Sequence, residues 1–228
     1  MPDATDARSS PRLPLLLLAA FAAIWIALAI APLYRQDWLL ENALVLIAVP
    51  LLVYGYRRIR LSNAAYLALF VFFACHEVGA HYTYSKVPYE LWLSHVGLSL
   101  AWLGRNSYDR LVHFLYGLLV TPAAAELFAA VAPPRGIWRG ILPVSFIMSH
   151  SLLYELIEWA AATVFGGDLG MAYLGTQGDS WDAQHDMLAA TVGSVVAMTL
   201  LLIARRGELT PQLTRQRRGQ VRHRHVNP

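Results

Sequence analysis

Residues 178–204 read GDSWDAQHDMLAATVGSVVAMTLLLIA, and this stretch decides the fold. Asp179, Asp182 and Asp186 lie just before an apolar run that continues to Ala204. An apolar run of about 18 residues or more is long enough to cross a membrane as a helix. The stretch therefore predicts a membrane-spanning helix that carries acidic side chains into its first turns.

The composition extends this prediction to the whole chain. Of the 228 residues, 57% are apolar and only 14% are charged, and the apolar residues occur in blocks. Blocks of this length indicate an all-α polytopic membrane protein, a bundle of about six transmembrane helices. The first block is longer than the ~7–15 apolar residues of a secretory signal, which favours an uncleaved span. The predicted spans are residues 13–33, 38–56, 64–82, 108–131, 137–165 and 183–204.

The basic residues predict the orientation, because cytoplasmic loops of membrane proteins carry an excess of lysine and arginine. With six spans, most arginines and the basic C-terminal tail fall on one side, which places both termini in the cytoplasm. Residues 1–12 then form a short cytoplasmic tail and residues 13–204 the transmembrane domain. Residues 205–228 form a basic, disordered tail, for which anionic lipid is a better partner than nucleic acid.

Two connections on the external side are long. Residues 83–107 include ELWLSHVGLSLAWLG, an aromatic and aliphatic stretch that is too short to span and is predicted to be interfacial or re-entrant. Residues 166–182 are rich in glycine and aspartate. The only cysteine is Cys75, so the chain has no internal disulfide.

Acids and histidines of four predicted spans fall at one depth, in the outer half of the bundle. They occur as pairs three or four residues apart, a spacing that places both side chains on one helix face. Each charge placed in hydrocarbon costs about 2.5–3.5 kcal/mol on insertion scales, so a shared polar site is expected. The pairs are Glu77 with His81, Asp109 with His113, Glu155 with Glu158, and Asp182 with Asp186.

A divalent metal is the simplest compensation for so many carboxylates, because together they would repel one another. Bundles that bind metals through carboxylates use this arrangement, and carboxylates with imidazole suit manganese, iron or zinc. Glu158, Asp179 and Asp182 are predicted catalytic groups that assist a metal-bound water. The predicted metal ligands are Glu77, His81, Asp109, His113, Glu155 and Asp186.

Structural roles compete with these assignments. Asp179 or Ser180 could cap the N-terminus of the last span. Asp109 could stabilise the N-terminus of the fourth span in the same way. HEVGAH is not the zinc-protease pattern, because its histidines are five rather than four residues apart, and His76 is interpreted as a structural histidine. His150 is interpreted as an interhelical hydrogen-bonding residue.

Four ordered motifs resemble the YjdF family of bacterial inner-membrane proteins, over residues 60–203. A wider resemblance to the VanZ-like membrane proteins rests on Asp109, Arg110, His113 and Phe114, with Glu155 and Asp186 as later acids. Glu158 and Ala190 depart from the wider pattern, where glutamine and asparagine are expected. The resemblance implies the fold and the motif positions but no reaction. The four motifs are HEVGAHYTYSKVPY, GRNSYDRLVHFLYG, YELIEWAAA and LGTQGDSWDAQHDMLAATVG.

Two classes of function follow. The first is a metal-dependent enzyme that acts on a lipid headgroup or a cell-envelope precursor, favoured by the clustering at one depth. The second is a proton- or cation-coupled transporter, for which Glu126 and His150 would continue a polar path inward. The sequence contains no inverted repeat, which favours the enzyme.

Overall fold

A computed structural model describes residues 12–100, 102, 104–167 and 176–224, and their side chains except those of residues 165 and 205–224. These residues contain seven helices of four or more residues and no strand. The helices are α1 (Arg12–Leu28), α2 (Arg35–Gly55), α3 (Asn63–His81), α4 (Tyr89–Ser94), α5 (Tyr108–Val131), α6 (Trp138–Phe165) and α7 (Asp182–Arg224).

Five helices, α2, α3, α5, α6 and α7, contain segments long and apolar enough to cross a membrane. The first apolar helix, α1, has 17 residues, at the lower end of the range of about 17–25 for a transmembrane helix. The predicted all-α polytopic bundle is therefore confirmed. The predicted boundaries of the terminal tails stay a prediction, and residues 1–11 and 225–228 lie outside the described chain.

The segment between α3 and α5 contains α4, which has only six residues and no buried side chain. Leu91 and Trp92 in α4 and Val96 after it are exposed. A helix of six residues is too short to span a membrane, and the interfacial or re-entrant position of this segment stays a prediction.

Two glycines bring the backbones of α5 and α7 together. A Cβ atom at Gly117 would overlap the carbonyl oxygen of Ala190, and one at Gly193 would overlap that of Phe114. Small residues allow this close approach between membrane helices. Both helices begin at the same end of the bundle, so the contact also holds their first turns side by side.

Glu126 joins α5 to the start of α3. Its carboxylate accepts hydrogen bonds from the backbone N–H and the hydroxyl of Ser62, both at 2.6 Å. The Ser62 hydroxyl oxygen in turn accepts from the backbone N–H of Ala65 at 3.1 Å, as an N-cap. Glu126 thus completes the N-terminal cap of a helix from which it is separated by 64 residues.

The turn after α3 is shaped around His76. Thr83 and Tyr84 have positive φ angles of 56° and 41°, and Gly79 leaves the space that the Tyr84 ring fills. The Tyr84 hydroxyl lies 2.5 Å from His76 Nδ1, and burial raises the pKa of that hydroxyl well above its ordinary value. The neutral hydroxyl therefore donates to Nδ1, while Nε2 faces the Glu41 carbonyl oxygen at 3.3 Å. Both ring nitrogens of His76 thus have partners within the bundle, as the interpretation of a structural histidine requires.

Candidate functional site

We use the name acidic end for the end of the bundle at which α2, α5 and α7 begin and α3 and α6 end. Four helices place acids there that are at most 8% exposed, although burial of a charge is expensive unless it is paired or coordinates a metal. The buried acids of the acidic end are Asp37, Glu41, Glu77, Glu155, Glu158, Asp182 and Asp186.

Asp109, His113 and Asp186 form the centre of the acidic end. One ligand atom from each lies within 4.8 Å of the other two, an arrangement that could hold a metal ion. Asp109 and His113 lie one turn apart on α5, and the glycine contacts bring α7 and Asp186 against them. We refer to these three residues as the metal group.

Glu155 on α6 extends the metal group. His113 Nε2 lies 3.6 Å from Glu155 Oε1 and 3.6 Å from Asp109 Oδ1. Both distances are too long for a good hydrogen bond. They are close to the separation of about 3.3–3.6 Å between two ligands of a tetrahedral ion whose bonds are ~2.0–2.2 Å.

Glu158 lies beside the metal group rather than in it. It is 8% exposed, interacts with the Tyr154 hydroxyl, and has Asp109, Glu155 and Glu41 as charged neighbours. Tyr154 also donates to Glu41 Oε2 at 2.6 Å and packs edge-on against the His113 ring. A chain of polar groups therefore runs from α2 through Tyr154 to Glu158.

An ionic layer covers the start of α7. Asp182 is 5% exposed, and its Oδ1 atom lies 2.7 Å from Arg105 Nη1 and 3.5 Å from Arg110 Nη2. Asp179 pairs with Arg110 and lies 3.4 Å from Arg105 Nη1 and 2.9 Å from His185 Nδ1. We refer to these five residues as the arginine layer. The two arginines thus compensate Asp179 and Asp182.

Asp179 also shapes the turn before α7. Its Oδ1 atom accepts from the backbone N–H of Trp181 at 2.9 Å, one residue before the helix. This N–H, with the His185 ring beside it, lowers the pKa of the Asp179 carboxyl below its ordinary value of 3.8. The carboxylate is therefore ionised at neutral pH and tied to the loop.

The predicted pair on α3 separates in the structure. Glu77 is fully buried beside α2, where Asn42 and Glu41 are its polar neighbours. His81 turns to α1, and its Nδ1 atom lies 2.8 Å from the Leu28 carbonyl oxygen. Neither residue belongs to the metal group. Helical spacing correctly put them near one level, but α3 meets different neighbours at the two positions.

Sequence reasoning missed the acids of α2. Asp37 and Glu41 are 1% and 4% exposed, and Asp37 Oδ2 accepts from the Thr83 hydroxyl at 3.2 Å. They are four residues apart at the start of the second predicted span, the same spacing and depth as the recognised pairs. That signal could have added α2 to the helices that build the acidic end.

The two residues that suggested a transport path have other contacts. Glu126 serves the N-cap of α3. His150 is exposed, and its Nδ1 atom faces the Phe146 carbonyl oxygen of its own helix at 3.0 Å. In the described residues, the bond expected between His150 and another helix is not formed, which corrects that interpretation. Neither Glu126 nor His150 therefore supports the polar path for protons or cations that was expected of a transporter.

Comparison with known proteins identifies the family. Residues 13–207 match the model of a family described as "Predicted membrane protein (DUF2238)". The chain belongs to this family. The Inner membrane protein YjdF of Escherichia coli (strain K12) is 38% identical over 180 residues, which cover 75% of this chain and 79% of that relative. The resemblance to YjdF is thereby confirmed, and the wider resemblance to VanZ-like proteins stays a prediction. No solved structure matches the chain.

Proposed function

We propose that this integral membrane protein is a metal-dependent enzyme of the bacterial inner membrane, with its metal held by the metal group. The observation that carries the proposal is the approach of donor atoms from Asp109, His113 and Asp186 to within 4.8 Å, inside an apolar bundle. One nitrogen and several carboxylate oxygens suit zinc, manganese or iron.

The unsatisfied atoms around the metal group fit a cation. Asp186 Oδ1 and Glu155 Oε1 are buried and accept no hydrogen bond from the described residues. The lysines and arginines of the described chain form no ion pair with Asp109, Glu155 or Asp186, because Arg105 and Arg110 pair with Asp179 and Asp182. A divalent ion would compensate these carboxylates.

The neighbouring groups suit acid and base chemistry. A bound metal would lower the pKa of its water and so supply a nucleophile. Glu158 lies beside Glu155 and Tyr154, where it can take up or release a proton. We assign Asp179 and Asp182, which were predicted to be catalytic, to binding within the arginine layer instead.

The substrate we propose is a lipid headgroup or a lipid-linked envelope precursor. The positive-inside rule puts both termini in the cytoplasm and the acidic end at the outer leaflet. The exposed apolar side chains of α4 flank this end, which supports access from the membrane. The contacts of Glu126 and His150 favour this enzyme over a transporter.

Elemental analysis of the full-length protein, purified in detergent without added chelator, tests the proposal. We expect about one equivalent of a transition metal per chain, and loss of that metal in His113→Ala with the helical content retained. His95→Ala is the matched control, because His95 is exposed and its Nδ1 atom contacts the Leu91 carbonyl oxygen in α4. Metal content near zero in the wild-type protein, also after reconstitution with zinc, manganese and iron, would contradict the proposal.

A further inference from the structure

Within the part of the chain that the structure describes, only one side of the Arg105 guanidinium group has hydrogen-bond partners. Nη1 contacts Asp182 and Asp179, whereas Nε and Nη2 are buried and donate to none of the residues that the structure describes. Nε–H and one N–H of Nη2 point in parallel from one edge of the planar group. Such an edge binds two oxygens of a carboxylate or phosphate at once.

Arg110 adds a third donor. Its Nη2 atom contacts Asp179 and His185, and its Nε atom is buried without a hydrogen-bond partner in the described chain. Its side chain is 31% exposed, against 12% for Arg105. The pair therefore presents a buried edge and a second donor that lies nearer to the surface.

These donors are adjacent to the metal group. Asp182 contacts both arginines and precedes Asp186 by one turn of α7, a rise of about 6 Å. On α5, Arg110 directly follows Asp109. A ligand that bridges the arginines and the metal group would need to span only about one helical turn.

We propose that Arg105 and Arg110 bind a phosphate group, which they hold toward the metal group. The inference rests on the proposed function and specifies its substrate as a phosphate-bearing one. A terminal phosphate has three oxygens and a larger negative charge than a carboxylate, so it can meet the two-donor edge of Arg105 and still direct an oxygen toward the metal group. The phosphate is either part of a lipid headgroup or free inorganic phosphate. Comparing the affinity for a phosphate-terminated lipid with the affinity for inorganic phosphate separates these two sources.

Isothermal titration calorimetry of the full-length protein in detergent tests the site. The ligands are dioctanoyl phosphatidic acid, dioctanoylglycerol, which lacks the phosphate, and inorganic phosphate. We expect phosphatidic acid to bind and dioctanoylglycerol not to bind. Arg105→Lys should weaken binding at least tenfold, because lysine has no two-donor edge, and Arg110→Lys should weaken it several-fold.

Arg35→Lys is the matched control, because Arg35 lies at the same end of the bundle and donates to the Ala29 carbonyl oxygen. Its affinity should equal that of the wild type. If inorganic phosphate binds as tightly as phosphatidic acid and Arg105→Lys weakens both, the phosphate site stands with free phosphate as its ligand. If Arg105→Lys unfolds, Arg110→Lys decides. Wild-type affinity in both arginine variants overturns the inference.

Metal analysis of the same preparations separates this inference from the proposed function. A protein without metal that binds phosphatidic acid through Arg105 would contradict the metal enzyme and retain the phosphate site. A protein with metal whose arginine variants bind like the wild type would retain the metal group and eliminate the phosphate site.

Discussion

Asp182 and Asp186 lie one turn apart on α7 but have different partners. Asp182 is paired with Arg105 at 2.7 Å, whereas Asp186 meets Asp109 and His113, one of them an acid like itself. One carboxylate is thus compensated by a fixed cation. The other is compensated only if a mobile cation or a proton is bound.

The first prediction follows from this difference. Asp186→Asn should remove most of the bound metal, because asparagine keeps the size of aspartate but not its charge. The protein should still insert and fold. Asp179→Asn is the control, since Asp179 lies in the arginine layer, and it should keep its metal. The measurement is metal per chain for both variants, and unchanged metal in Asp186→Asn would show that this acid is not a ligand.

Helix packing gives the second prediction. Gly117→Ala should destabilise the bundle by about 1–3 kcal/mol or more, because its methyl group would meet backbone atoms of α7 that cannot move aside. It should also reduce metal binding, since the same contact aligns α5 with α7. Gly140→Ala is the control, because its methyl group would meet nothing closer than 4.0 Å. Thermal unfolding in detergent compares them, and equal stabilities would refute the prediction.

The third prediction concerns Glu126. Glu126→Gln should cost about 1–2 kcal/mol of stability by weakening the cap of α3, while the metal content stays unchanged. Ser62→Ala removes the hydroxyl partner of the same contact. The double variant should lose less stability than the sum of the losses of the two single variants, because both changes remove the same contact. Full additivity, or a loss of metal, would argue against a structural role for Glu126.

Acid titration gives the fourth prediction. The pKa of Asp179 is lower in the folded protein than its ordinary value of 3.8. The stability that its carboxylate contributes is therefore complete above that value and is lost as the pH falls through the folded pKa. The stability difference between the wild type and Asp179→Asn should shrink as the pH falls below 3.8. A constant difference between neutral pH and pH 3 would exclude this linkage.

Orientation is the fifth prediction. In a background with Cys75→Ala, Gly167→Cys should react with an impermeant thiol reagent in intact spheroplasts. Gly136→Cys, at the opposite end of α6 and with a similarly positive φ angle, should react only after lysis. The reverse pattern would invert the bundle and place the acidic end at the cytoplasmic side.

The sequence predicted the helices and most of the acidic end, because apolar length and helical spacing are local properties. It could not tell which neighbour a helix face meets. His81 shares a helix face with Glu77, yet its ring contacts the last residue of α1. Conversely, the spacing of Asp37 and Glu41 was visible in the sequence, but the hydrogen bond from Tyr154 to Glu41 joins two helices and depends on how they pack.

The cap that Glu126 supplies to Ser62 has a consequence for biogenesis. The start of α3 leaves the ribosome 64 residues before the carboxylate that completes its cap. At about 5–20 residues per second, this separation delays the contact by roughly 3–13 s. During that interval water, lipid headgroups or the insertion machinery must accept hydrogen bonds from the backbone N–H and the hydroxyl of Ser62. The helix α3 therefore cannot complete its hydrogen bonds when it is first inserted. It completes them only after α5, which carries Glu126, has been synthesised and has packed against it.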